Sequence, residues 1–405
     1  MLKKLKALLA GCAVLAAVPA HAEFTGGVVR IGVLNDQSGI YADMAGPGSV
    51  EAARIAVEEF GGKVGGVPVE VVFGDHQNKP DVGLNIARQW LDVGGVDMIA
   101  DLTNSSIALA VASLVKDKNK VAMISSSNSN RLTGDACSPN HVQWTLDNYS
   151  LAKSTGSAVV KSGGKTWFFI TADYAFGHDM EREAGQIVKA AGGTVLGQVR
   201  HPLNTADLSS FLVQAQGSGA TVIALANAGS DFTSSVKQAA EFGITQSGKS
   251  LAGLAVYLTD VRSLGLQAGQ GLYLSEPFYW DLNDNTRAFA KKFAERRGGA
   301  MPTAYQAGVY SSVLHYLKAV AAVNGDSDGR AVVAKMKELP TEDLAYGKGY
   351  VRVDGRKIHP MYLFRVKAPA QSKGPWDLYE KVAETPGEQA FKPLADGGCN
   401  LATQN

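Results

Sequence analysis

Two clusters of small hydroxyls and amides carry the first chemical signal in this 405-residue chain. Thr103-Asn104-Ser105-Ser106 ends one apolar run, and a helical apolar pattern (Ile107, Leu109, Ala110, Leu114) begins at once. Ser125-Ser126-Ser127-Asn128-Ser129 ends the next apolar run in the same way. Side chains of this kind hold a small anion better than they react with it. With Asn104 or Ser105 as N-cap, the free amides of the first helical turn suit a carboxylate, and the serines add donors. Ordinary capping accounts for either cluster alone, whereas two clusters on successive strands point to a pocket built from Asn104, Ser105, Ser106, Ser127, Asn128 and Ser129.

A second group lies further along. Asp173-Tyr174-Ala175-Phe176-Gly177 follows the apolar run TWFFITA, and Asn227 follows TVIALA. Asp173 is placed to meet an ammonium, and Tyr174 and Phe176 to cover an apolar ligand body, with a core role as the alternative for Phe176 and an N-cap role for Asp231 in the segment after Asn227. Chemistry of other kinds finds little to work with. The chain has no nucleophile elbow, no P-loop and no dinucleotide fingerprint. Asp281-Leu282-Asn283-Asp284-Asn285 imitates a calcium loop, but Thr286 stands where glycine is required and Lys292 where the bidentate glutamate belongs. A binding protein without metal or cofactor is expected rather than an enzyme.

The elements that must position these residues alternate strand-like and helix-like. VVRIGVL (28–34), VEVVFGD (69–75), DMIADL and VAMIS read as strands, with helical patterns following the first three. After the extended piece HVQWTLDNY and the helical SLAKSTGSAVVKSGG, a second alternating unit begins with TWFFITAD and runs through TVLGQVRHP and TVIALANA to LAGLAVYL, read as a strand. Such alternation is the signature of mostly parallel sheets covered by helices, whose ligands sit at the carboxyl ends of the strands. GLYLSEPFYW is then extended, with aromatics able to stack on a planar ligand or to serve as core. Three helical patterns follow with no strand between them. A hairpin is expected around Asp354-Gly355, and an irregular tail from Lys367 onward.

Residues 1–22 read as a secretory signal: Lys3, Lys4 and Lys6, an apolar stretch, and the small-x-small site Ala20-His21-Ala22. The net charge of +1 becomes −2 without those three lysines, which leaves no basic excess for nucleic acid. Cys12 lies in the signal, and Cys137 and Cys399 remain, read as a disulfide in an exported chain, with two free thiols as the alternative. A monomer is expected.

Taken together, VRIGVLNDQSG, GPGSVEAARIAVEEF, FGDHQNKPDVGLNIARQW, the paired serine clusters and TADYAFGHDMEREA resemble the periplasmic leucine/isoleucine/valine-binding proteins of ABC transporters. The resemblance follows the order of segments over nearly the whole mature chain. It implies an α/β fold of two doubly wound lobes with mostly parallel sheets, joined by three crossing strands and closing on a small ligand by hinge motion. The implied division is 23–143 with 280–346 for the N-terminal lobe, 144–279 with 347–368 for the C-terminal lobe, and a tail at 369–405. HVQWTL, GLYLSEPF and the stretch around 347–351 match the crossings. The family's carboxylate-holding segments fall on Ser105 and Ser106 and on Asn128 and Ser129, and its cleft aromatic on Tyr174 or Phe176. In leucine binders an acid that clamps the ligand ammonium follows the strand that here is LAGLAVYLTD. This chain places Tyr257 and Leu258 there, with Asp260 beyond. A hydrophobic amino acid and an aromatic acid both remain as ligands. The implied setting is the periplasm, with an inner-membrane ABC permease as partner, and a sensory role as the alternative.

Overall fold

Apolar runs ending in polar clusters become parallel strands that stop at a common edge. In the computed structural model, which describes residues 23–403 and so not the expected signal segment, β1 (Val29–Asn35), β2 (Lys63–Val64), β3 (Val67–Asp75), β4 (Met98–Asp101), β5 (Val121–Ile124) and β6 (His141–Gln143) form one sheet. Its order is β2-β3-β1-β4-β5-β6, parallel throughout except for the short β2–β3 hairpin. The helices α1 (Gly46–Phe60), α2 (Pro80–Asp92) and α3 (Ser105–Asp117) connect the strands. Both faces are covered, so β1, β4 and β5 are buried along their length, as a parallel sheet requires.

After β6 the chain enters α4 (Asn148–Lys161) and builds a second parallel sheet. Its strands β7 (Thr166–Ala172), β8 (Thr194–His201), β9 (Val222–Ala226) and β10 (Ser250–Gly253) take the order β10-β9-β7-β8. The helices α5 (Ala175–Ala190), α6 (Ser209–Gly217), α7 (Gly229–Glu241), α8 (Leu258–Leu264) and α9 (Leu266–Gly269) accompany it. The run LAGLAVYL is strand only at its start. Tyr257 instead opens α8, because the Asp260 carboxylate accepts a hydrogen bond of 2.9 Å from the Tyr257 backbone amide and so fixes a helical first turn.

The chain then returns to the first lobe. Helices α10 (Asp284–Arg296), α11 (Ala304–Val323) and α12 (Gly329–Glu338) follow, and Phe289, Val313, Leu317 and Val333 share one core with Ile31, Val33 and Ala100 of the first sheet. The three helices without intervening strands thus complete the first lobe, which explains how two lobes arise from a chain that crosses between them repeatedly. The hairpin around Asp354-Gly355 is present as β12 (Tyr350–Val351) paired with β13 (Lys357–Ile358).

A third, antiparallel sheet joins β11 (Tyr273–Glu276), β14 (Met361–Val366) and β15 (Tyr379–Thr385). The last strand lies in the tail expected to be irregular. Its residues are mostly charged or small, and six of its seven are exposed, so no apolar alternation announces it; backbone pairing with β14 and the Arg365–Glu380 ion pair of 2.7 Å hold it as an edge. The rest of the tail is tied down by the Cys137–Cys399 disulfide. Among the described residues no helix is long and apolar enough to cross a membrane.

Candidate functional site

The polar ends of the two sheets face each other across a small cavity of about 20 Å³, roughly the space of one water molecule. The first lobe lines it with Tyr41 and Met44 from the loop after β1, Thr103 and Ser105 at the start of α3, Ser126 and Asn128 after β5, and Tyr305 from α11. The second lobe supplies Tyr174 and Phe176 at the start of α5, Ala228 at the start of α7, and Tyr257 at the start of α8.

Each position follows from local structure. Asn104 is the N-cap of α3, and its Oδ1 accepts from the amides of Ser106 (3.0 Å) and Ile107 (3.3 Å). That leaves Ser105, at the first position of the helix, turned to the cavity. The Ser127 hydroxyl donates to Ser105 Oγ at 3.0 Å, so the proton of Ser105 is free to point at a ligand. In the second lobe neither α5 nor α7 has a side-chain cap, and their N-cap residues Tyr174 and Ala228 both touch the cavity. Three helix N-termini therefore converge on one space, each with a partial positive charge. Gly177 is required in the first turn of α5, since a Cβ there would lie 2.0 Å from the Ala172 carbonyl oxygen.

The lobes are bonded to one another through the lining. The Tyr41 and Tyr174 hydroxyls lie 2.7 Å apart. Asn128 Nδ2 donates to the Tyr257 hydroxyl at 2.8 Å, and the Tyr305 hydroxyl lies 2.6 Å from that of Tyr257 and 3.0 Å from Asn128 Oδ1. Burial raises the pKa of all four phenols, which keeps them neutral donors. No Lys, Arg, His, Asp or Glu lines the cavity. The acids behind Tyr257 carry little charge: burial pushes Asp260 up to about 8 and raises Glu276 well above the carboxylate range.

Of the residues singled out in the sequence, Ser105, Asn128, Tyr174, Phe176 and Tyr257 come together at the cavity. The others do not line it. Asn104 is spent on capping, Ser106 lies half-buried to the side, and Ser127 reaches only Ser105. Ser129 is turned away to donate to the Asp179 carboxylate on α5. Asp173 sits at the surface with His178 Nε2 at 2.7 Å, so it is not available to a ligand ammonium in the cleft. Asn227 is buried behind the wall, bonded to His201 Nε2 (3.1 Å) and Ser235 Oγ (3.0 Å). The aromatic group after β11 is core: Phe278 belongs to the first-lobe core, and Tyr279 and Trp280 both donate to the Trp376 carbonyl.

Tyr41, Met44, Ala228, Tyr305, Thr103 and Ser126 line the cavity without having been chosen individually. Tyr41 and Met44 had a usable signal, the loop at the carboxyl end of β1. Thr103 and Ser126 lay within the recognised clusters. Tyr305 had none, because it comes from a helix remote in sequence from every strand end.

The sequence profile of the periplasmic binding protein family matches residues 28–375. A crystal structure of a periplasmic binding protein from Burkholderia mallei is 48% identical, with a TM-score of 0.90 over 93% of this chain and 99% of that one. The structure of a branched chain amino acid ABC transporter periplasmic ligand-binding protein from Burkholderia xenovorans is 42% identical, with a TM-score of 0.81 over 92% of this chain and 100% of that one. Among curated proteins, Leu/Ile/Val-binding protein homolog 6 of Brucella melitensis is 25% identical over 353 residues, covering 85% of this chain and 87% of the relative.

Proposed function

Because this chain belongs to the periplasmic binding protein family of ABC transporters, we propose that it captures a small hydrophobic carboxylate between its lobes, an aromatic acid in preference to an α-amino acid, for delivery to an inner-membrane permease. The observation that carries this reading is the lining itself, which combines hydroxyl and amide donors, helix N-termini and aromatic rings and has no charged side chain. A carboxylate gains from the N-terminal amides and from the Ser105 hydroxyl. An ammonium in the same place would surrender its hydration to an uncharged wall, a cost of several kcal/mol without a counter-ion. Tyr41, Tyr174, Phe176, Tyr257 and Tyr305 offer faces and edges to an aromatic ring.

Closure of the lobes supplies the mechanism. A ligand entering the cleft parts the Tyr41–Tyr174 and Tyr257–Tyr305 contacts and replaces them with its own, so the hydroxyls are satisfied in both arrangements. Hinge closure around a ligand of this kind buries it and presents one shape of the protein to a permease.

Calorimetric titration and thermal shift of the mature protein test the reading. Benzoate and 3-phenylpropionate are expected to bind and raise the Tm, because a ligand of the folded state alone stabilises it by mass action, while leucine and phenylalanine bind at least about tenfold more weakly. Tight leucine binding with no response to the aromatic acids would reverse the assignment.

A further inference from the structure

Directly beneath the cavity lies Asp101, a fully buried carboxylate that the reading above leaves unused. Its Oδ2 accepts from Asn35 Nδ2 at 2.7 Å, and its Oδ1 accepts from the Ser126 hydroxyl in a very short contact. Its carbonyl oxygen also takes the amides of Ser125 (3.1 Å) and Ser126 (3.2 Å). Asp101 and Leu102 both have positive φ, 82° and 62°, a conformation that costs side-chain-bearing residues energy and persists only where the surroundings enforce it. The strained pair lies immediately before Thr103 and Ser105, both of which line the cavity.

The direction of the Ser126 hydrogen bond has a chemical consequence. A hydroxyl has one proton and two lone pairs. Burial raises the Asp101 pKa and the hydrogen bonds from Ser126 and Asn35 oppose that shift; with Asp101 ionised, the Ser126 proton is committed to it and Ser126 can offer the cavity only an acceptor. Ser105 is the opposite case, since it accepts from Ser127 and keeps its proton for a ligand. Ser126 is the chain neighbour of Ser127, whose hydroxyl touches Ser105, so acceptor and donor stand close together. We propose that Asp101 acts through Ser126 as a specificity-determining positioning residue, making the pocket select a carboxylate that carries a hydroxyl near its carboxyl group. A neutral O–H satisfies one lone pair of Ser126, whereas an ammonium brings three N–H donors and a full charge into a lining with no charged side chain. The inference rests on the carboxylate-binding reading of the same cavity.

Three acids of one carbon skeleton separate the possibilities: 3-phenyllactate, 3-phenylpropionate and phenylalanine, which differ only in the 2-substituent. Calorimetry on the wild type is expected to give 3-phenyllactate a Kd about tenfold below that of 3-phenylpropionate, the size of one added hydrogen bond. In Asp101→Asn the side-chain amide can donate to Ser126 Oγ and turn the serine proton into the cavity, so the ratio falls to about one or inverts. Ser126→Ala removes the acceptor, and the ratio falls to about one; this variant serves if the first does not fold. Equal wild-type affinity for the two acids overturns the inference and leaves the carboxylate reading standing. So does an Asp101→Asn variant that weakens both acids equally, which is the mark of a purely structural role. Phenylalanine as the tightest of the three overturns the choice of a neutral hydroxyl. If none of the three binds, the carboxylate reading itself fails and the inference with it.

Discussion

In the first lobe Asn104 caps α3 with its own side chain, and Ser127 and Ser105 bond to each other within the same wall. In the second lobe neither α5 nor α7 has a side-chain cap, and the tyrosine hydroxyls find their partners across the cleft: Tyr174 in Tyr41, and Tyr257 in Asn128 and Tyr305. The first wall satisfies Asn104 and Ser105 within itself, whereas its Tyr41 hydroxyl and both tyrosine hydroxyls of the second wall are satisfied only across the cleft. A polar group that loses its partner without regaining water or a ligand pays the cost of desolvation. The second wall therefore gains most from closure, and the first is the pre-organised surface on which a carboxylate can settle beforehand.

Keeping the two walls from meeting has the largest expected effect. Gly229, at φ 60° in the first turn of α7, faces the Ile40 carbonyl of the other lobe so closely that a Cβ would lie 2.6 Å from that oxygen. Gly229→Ala is expected to weaken binding of 3-phenylpropionate at least about 100-fold, while the Tm of the protein alone falls by only a few degrees, since the clash lies between lobes and the strain of one left-handed alanine is about 1–2 kcal/mol. Unchanged affinity by calorimetry would show that closure is not needed.

Tyr257→Phe removes the hydroxyl that joins Asn128 and Tyr305 across the cleft. An affinity loss of about tenfold is expected, with circular dichroism unchanged, because the ligand that replaces the Tyr305 contact loses about one net hydrogen bond. A loss of folding instead would place Tyr257 in the core rather than in the site.

The acid behind that tyrosine acts on stability rather than on affinity. Burial pushes Asp260 up to about 8, so the folded protein holds a proton that the unfolded chain has released above about pH 4. Wild-type stability from this group is thus fully present at low pH and is lost as pH rises towards 8. Asp260→Asn removes the term while keeping an acceptor for the Tyr257 amide. Its Tm relative to wild type is expected to climb steadily between pH 4 and pH 8, and a difference independent of pH would show that Asp260 titrates normally.

Much of this architecture is written in local pattern. The runs 28–34, 121–125 and 166–173 became strands β1, β5 and β7 because continuous apolar sequence suits a sheet covered on both faces. The charged β15 and the helical turn at Tyr257 were not legible, since one depends on a partner strand and the other on an Asp260 cap three residues away. Within the site, strand ends disclosed Ser105, Asn128, Tyr174, Phe176 and Tyr257 as candidates, but the same rule also nominated Ser129, Asp173 and Asn227, which point elsewhere.

The amino-acid order alone determined which segments are strands and helices and that polar clusters gather at their carboxyl ends, because hydrophobic period and capping residues act over a few positions. Which of those side chains face one another, and which end of each hydroxyl is left for a ligand, is set by the assembled lobes. That depends on partners brought together from remote segments: Tyr305 with Asn128, Tyr41 with Tyr174, Asp101 with Ser126. Hydrogen-bond direction is a property of pairs, and such pairs exist only once the lobes have folded and met.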